Sequence, residues 1–185
     1  VSYNTVMECF AKVGNAKGAE AVMKRMKEHL GKDSELDVKQ LSISQAILIE
    51  GWANVRNPER AEEMLRNVLK KSVTNPSLRM FNAVLKAWAM SSDPKASERA
   101  KHVLDLLQGN DKCVALGVVP SVDEFNSYLS CIAKSNQTDA GKESDTVISR
   151  MEKLFSDGNA NVKPDGSSFT IAIKTCLRCS DQVRA

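Results

Sequence analysis

Three asparagines sit in one recurring local sequence: Asn4 in YNTVMECFAKV, Asn82 in FNAVLKAWAMS and Asn126 in FNSYLSCIAKS. A carboxamide carries an acceptor and two donors side by side, so it can meet a partner whose edge mixes both. That is chemistry of recognition rather than of bond cleavage. A single asparagine near a helix start is commonly a surface or capping residue, but its return at one register makes it a candidate. FTIAIKTCLRC puts Thr170 at the equivalent place. QAILIEGWANV puts Ala46 there, because Gly51-Trp52-Ala53 lines up with Cys9-Phe10-Ala11.

Residues that could support catalysis are less persuasive. Cys176 and Cys179 form a lone C-x-x-C, without the second pair or the histidines that a zinc site needs. Cys176 shares its register with Phe10, Trp52 and Trp88, which predicts a core position. His29 and His102 lie among charged neighbours and read as solvated. Cys113 falls in an apparent loop, open to reaction but with no activating group nearby. Glu62 and Glu63 read as part of a solvated helix face, and no Gly-rich phosphate cradle occurs. The expectation is a chain that is not an enzyme and has no cofactor and no metal.

The elements that carry the amides are helices. From one anchor to the next the steps are 42, 36, 44 and 44 residues. Each anchor segment has apolar residues at helical spacing, such as Val84, Leu85, Trp88 and Ala89. A second helix follows, aligned on Ala19, Ala61 and Ala100, with Met23 and Met26, Leu65 and Val68, or Leu104 and Leu107 beyond. Pro58 and Pro94 are expected just inside helix starts, where a missing N–H costs nothing. A single hairpin cannot bury its apolar face, so neighbours must complete the core. The fold class expected is an all-α solenoid of stacked helix–turn–helix repeats. Its units are residues 1–40, 41–77 (degenerate), 78–121 and 122–165, with 166–185 as a fifth leading helix. Extra length is assigned to loops, HLGKDSELDVKQ and GNDKCVALGVV. Small residues five places after each anchor (Cys9, Gly51, Ala87, Cys131 and Thr175) predict close helix approach.

The bulk numbers agree. At 42% apolar and 26% charged residues the composition is that of a folded chain. A net charge of +3 permits a polyanionic partner without requiring one. Five cysteines, an odd number set mostly in helical patterns, argue against a disulfide framework. No apolar run reaches the length of a membrane span, so no membrane partner is expected. The sequence opens and stops partway through a hairpin, which predicts a monomeric segment of a longer array.

The stretch VSYNTVMECFAKVGNAKGAEAVMKRMKE resembles the opening of a pentatricopeptide repeat. Pro76-Ser77, Pro120-Ser121 and Pro164-Asp165 match that family's repeat boundary, and the resemblance covers essentially the whole chain. Departures are the long units and the Gln45-Ala46 that replaces an aromatic-Asn pair. The resemblance implies a right-handed superhelix and single-stranded RNA as partner, with one base per repeat read by two or three side chains. Carried over, the base-reading pairs are Ala46 with Ser77, Asn82 with Ser121 and Asn126 with Asp165. Asn4 falls opposite Leu41, and Thr170 has no partner in the sequence. A carboxylate only accepts, which suits the N3–H of uracil at the fourth repeat; a serine hydroxyl can donate to the bare N3 of cytosine at the third. Ala46 makes the second repeat indifferent. Three places before the anchors, Val1, Ile43 and Arg79 would stack on bases, whereas Asp123 and Ser167 suit that role poorly. Eight places after them, Lys12, Lys134 and Arg178 would face phosphates, with Asn54 and Met90 in the same column. The resemblance further implies a role in RNA processing, stability, editing or translation in a mitochondrion or plastid. A helical scaffold for protein partners is the alternative.

Overall fold

The computed structural model describes residues 2–29, 35–70, 74–135 and 137–184. These form α1 (Tyr3–Lys12), α2 (Ala16–His29), α3 (Glu35–Asn54), α4 (Pro58–Lys70) and α5 (Leu78–Met90). They continue with α6 (Ala96–Gly109), a short α7 (Asp111–Ala115), α8 (Val122–Lys134), α9 (Ala140–Ser156) and α10 (Gly166–Arg184). A single 3-10 turn covers Ala160–Val162, and there is no strand among the described residues.

The antiparallel pairs α1/α2, α3/α4, α5/α6 and α8/α9 stack in order, with α10 closing the row. First helices pack directly on first helices: α1 on α3, α3 on α5, α5 on α8 and α8 on α10. Each second helix instead wedges between its own first helix and the next one. A row in direct contact beside a spread row bends the stack, with the first helices on the inner face. Gly51 shows how near they come: a Cβ there would stand 3.3 Å from the Cβ of Ala11. The other members of that small column, Ala87, Cys131 and Thr175, are buried, whereas Cys9 on the first helix is exposed.

The second helices bury the face that the periodicity marks out. Ala19, Ala61 and Ala100 have no exposed surface, and Met23, Met26, Leu65, Val68, Leu104 and Leu107 are buried with them. Turns between paired helices are locally encoded. Asn15 Oδ1 accepts from Gly18 N at 2.9 Å, and Asn57 Oδ1 accepts from Arg60 N at 3.0 Å. These caps satisfy one of the donors that a helix start leaves open. Gly14 takes a left-handed φ of 73° before the first cap, and Arg56 takes 57° before the second.

Several expectations need correction. Helix α3 begins at Glu35, so the boundary placed between residues 40 and 41 falls inside it. Glu, Leu, Lys and Gln are good helix formers, and nothing in 35–40 breaks the run. The other assigned loop contains α7, capped by Asn110 Oδ1 accepting from Lys112 N at 3.1 Å. Cys113 on α7 is fully buried, and burial pushes its thiol pKa up, the opposite of an activated cysteine. Cys176, expected in the core, is exposed, while Cys179 is buried. Glu62 is not solvated: it is 1% exposed and accepts from Trp88 Nε1 at 3.0 Å, Arg66 at 2.6 Å and Arg99 at 3.1 Å.

Candidate nucleic-acid interface

Asn4, Asn82 and Asn126 stand in the first two turns of first helices and Thr170 in those of α10, whereas Ala46 lies beyond the middle of the longer α3; all five are on the row of first helices. The inner row therefore carries them at one register. Their surroundings differ. Asn4 is half-buried, and its Oδ1 accepts from Ser44 Oγ of the next hairpin at 2.5 Å. Asn126 repeats this arrangement: its Oδ1 accepts from Ser168 Oγ at 2.7 Å, and its Nδ2 reaches Asp165 Oδ1 at 3.3 Å. The sequence-predicted pair Asn126 and Asp165 is thus brought together. Asn82 is half-buried too, but its Oδ1 is enclosed and has no partner. Ala46 is only 4% exposed, so the position expected to contribute least is nearly closed to any ligand. Thr170 is exposed, with its hydroxyl donated to Gly166 O of its own helix.

The column five places before the anchors consists of helix caps. Ser77 precedes α5, Ser121 precedes α8, and Asp165 precedes α10. Ser121 forms a reciprocal box with Glu124: Glu124 Oε2 accepts from Ser121 N at 2.9 Å and from its hydroxyl at 2.7 Å. Asp165 does likewise with Ser168, whose N–H donates to Oδ1 at 2.8 Å. That backbone bond is the main reason the Asp165 pKa lies below its ordinary value, with the Ser168 hydroxyl and the Asn126 amide adding to it. Ser77 makes no such bond. Leu41, opposite Asn4, lies inside α3 and caps nothing.

Ile43, Ala46, Ser77 and Arg79 line one open cleft between α3 and α5, so the stacking and reading positions of that step do share a wall. Arg79 is bound there by Glu50, through Nε and through Nη2 at 2.6 Å, and that carboxylate holds its pKa above the usual arginine value. Its charge is therefore already matched. Val1 lies outside the described residues.

The column eight places after the anchors has a structural task that spacing alone did not reveal. Asn54 Nδ2 reaches Ala11 O at 3.5 Å, Lys134 Nζ donates to Ala89 O, and Arg178 donates to Ala133 O and, at 2.7 Å, to Ser135 O. Each side chain covers a carbonyl at the end of the preceding first helix, where the helix dipole favours a cation or donor. Arg178 is half-buried on those carbonyls, whereas Lys12 and Lys134 are exposed. An ammonium has three donors, so Lys134 keeps two for other partners.

A further column, two places before the anchors, also bears on the groove. It holds Ser44, Met80, Glu124 and Ser168, each on the next hairpin; Ser44 and Ser168 bond the preceding anchor, and Met80 and Glu124 occupy the same register. Hydroxyls back Asn4 and Asn126, and buried Met80 stands in register with buried Ala46. The matched polarity of these pairs was the available signal.

Residues 1–29 match the PPR repeat model, and residues 37–90 match the pentatricopeptide repeat domain model. A pentatricopeptide repeat-containing protein of Arabidopsis thaliana is 24% identical over 94% of this chain, which covers 26% of that protein. The crystal structure of the pentatricopeptide repeat protein PPR10 from maize superposes with a TM-score of 0.70 at 17% identity, covering 98% of this chain and 23% of the maize chain. The structure of PPR10 in complex with an 18-nt psaJ RNA element gives 0.51 at the same identity, over 98% of this chain and 29% of the other. The chain thus spans about a quarter of the length of these relatives. The all-α architecture is the right-handed solenoid expected from the sequence. The chain belongs to the pentatricopeptide repeat family.

Proposed function

We propose that this segment binds single-stranded RNA along its inner row of first helices, one base per repeat. Asn82 with Ser121 and Asn126 with Asp165 act as base-reading pairs, and Asn4 as a further reading residue. The observation that carries this reading is the Asn126–Asp165 contact at 3.3 Å, backed by Ser168. It holds an amide and a carboxylate at the mouth of the groove before any ligand arrives, which reduces the ordering cost of binding. Likeness to a protein solved with an RNA element supports the same partner. Lys12 and Lys134 supply phosphate contacts, and Ile43 stacks on a base; Arg178 and Arg79 are committed within the protein. Asp165 accepts from uracil N3–H at the fourth repeat, and the second repeat is indifferent. Service in RNA processing, stability, editing or translation within a mitochondrion or plastid follows from the family.

The test is selection from random single-stranded RNA, repeated with Asn126→Ala. Preference should vanish at one nucleotide and persist at its neighbours. Unchanged preference would discard base reading by this residue. One feature favours a second reading, a scaffold for a protein partner: Phe169, Ile173 and Leu177 stand exposed at four-residue spacing on α10. That reading predicts no enrichment of any RNA sequence.

A further inference from the structure

Three half-buried amides share one register, and two of them are turned the same way. At Asn4 and at Asn126 the inward end is the carbonyl, facing a serine hydroxyl of the next hairpin at 2.5 and 2.7 Å. Each hydroxyl has a second acceptor within reach, Gln40 O or Asp165 Oδ1, both at 2.9 Å, and in each the amide oxygen is the nearer. With the carbonyl held inward, the NH2 end is left toward the groove.

At Asn82 this arrangement fails. The residue at the serine's register is Glu124, fully buried on α8, which packs against the helix of Asn82. A carboxylate can only accept. Its Oε2 is occupied by Ser121, but Oε1 is enclosed and unpartnered, and so is Asn82 Oδ1. Two orphaned acceptors at one joint are costly, since each forfeits the hydrogen bonds it made in water. The two ends of a carboxamide have the same shape, and half a turn about its terminal bond exchanges acceptor for donor.

We infer that Glu124 turns the Asn82 amide the opposite way from Asn4 and Asn126, drawing its NH2 inward onto Oε1 and presenting the carbonyl to the groove. Resting on the RNA reading proposed above, this makes Glu124 a positioning residue for specificity. The third repeat then offers an acceptor where the fourth offers a donor. An outward carbonyl selects bases with an exocyclic amine on the contacted edge, cytosine or adenine, over their keto counterparts.

The experiment is Glu124→Gln. Ser121 N–H and Oγ hold an oxygen at the Oε2 place, so the new amide nitrogen replaces Oε1 and becomes a donor toward Asn82. Wild type and variant are compared in two ways. The first is binding to single-stranded RNAs that differ only at the nucleotide whose preference Asn82→Ala abolishes. The preference for cytosine over uracil should fall by about tenfold in the variant, the scale of one hydrogen bond. Preference at the nucleotide read by Asn126 should not move. The second is exchange of the Asn82 side-chain NH2 protons with water, followed by NMR in the RNA-free protein. They should be protected in wild type and exposed in the variant. RNA binding with an unchanged cytosine-to-uracil ratio, or equally fast exchange in both proteins, overturns the inference. Slow exchange in wild type without any RNA binding upholds the amide's orientation and rejects the RNA reading instead.

Discussion

Asp165 has two structural duties. Its Oδ1 caps α10 through Ser168 N–H at 2.8 Å, and the same oxygen lies 3.3 Å from the Asn126 amide. Both favour the ionised form, so the folded pKa falls below the ordinary value. A depressed pKa means the stabilisation is complete above the unfolded value of about 3.9 and is lost as pH falls through the lower folded value. Asp165→Asn should therefore flatten stability against pH below about pH 4 and cost about 1 kcal/mol or less at neutrality, since asparagine also caps. Urea denaturation of both proteins between acid and neutral pH checks this. At this scale the sequence was half legible. The amides and their capping partners stood out because they repeat. Ser44, Glu124 and Ser168 did not, because they pack toward the preceding unit and their column mixes serine with Met80 and a glutamate. The burial of Glu62 was illegible for a related reason. Its surroundings are assembled from Trp88 and Arg99 on later helices, and local periodicity contains no information about either.

Among the elements, the turn from first to second helix shows one geometry written two ways. After α1 the left-handed position is Gly14, with Gly14 N donating to Ala11 O at 3.3 Å and Asn15 N to Phe10 O at 2.8 Å. After α3 the same two bonds recur, Arg56 N to Ala53 O at 3.0 Å and Asn57 N to Trp52 O at 3.1 Å, but the left-handed residue is an arginine. A side chain in that conformation costs roughly 1–2 kcal/mol, part of which glycine returns as backbone entropy in the unfolded chain. Arg56→Gly should raise stability by about 1 kcal/mol, read as a higher urea midpoint at unchanged slope. Pro58 marked the start of α4 in the sequence, and the Asn15 and Asn57 caps are local enough to have marked both second helices. The early start of α3 was not so marked, because residues 35–40 lack an apolar period of their own and α3 continues through them.

Across the whole molecule, the two rows are joined by different forces. The inner row relies on close apolar contact at Gly51 and its equivalents, whereas ion pairs link successive second helices: Glu20 with Arg60, Glu62 with Arg99 and Asp105 with Arg150. Only the middle link is anchored by a buried carboxylate, which also holds the indole N–H of Trp88. Glu62→Ala should cost about 3 kcal/mol, the lower end for breaking a buried pair. Arg66 and Arg99 are about a third exposed and can turn to water, while the Trp88 nitrogen cannot. Because repeats touch only neighbours, the loss should also lower the denaturant slope as the array uncouples at this joint.

The direct stacking of α1, α3, α5, α8 and α10 has a metrical consequence. Chain length between successive anchors varies from 36 to 44 residues, yet every first helix still abuts the next. Pitch is then fixed by side-chain bulk across one helix contact, about 8–10 Å between axes. Added residues, such as those carrying α7, are taken up away from that row. Contour length and groove length are separate variables, so a strand laid along the inside would count helices and be blind to how much polypeptide joins them.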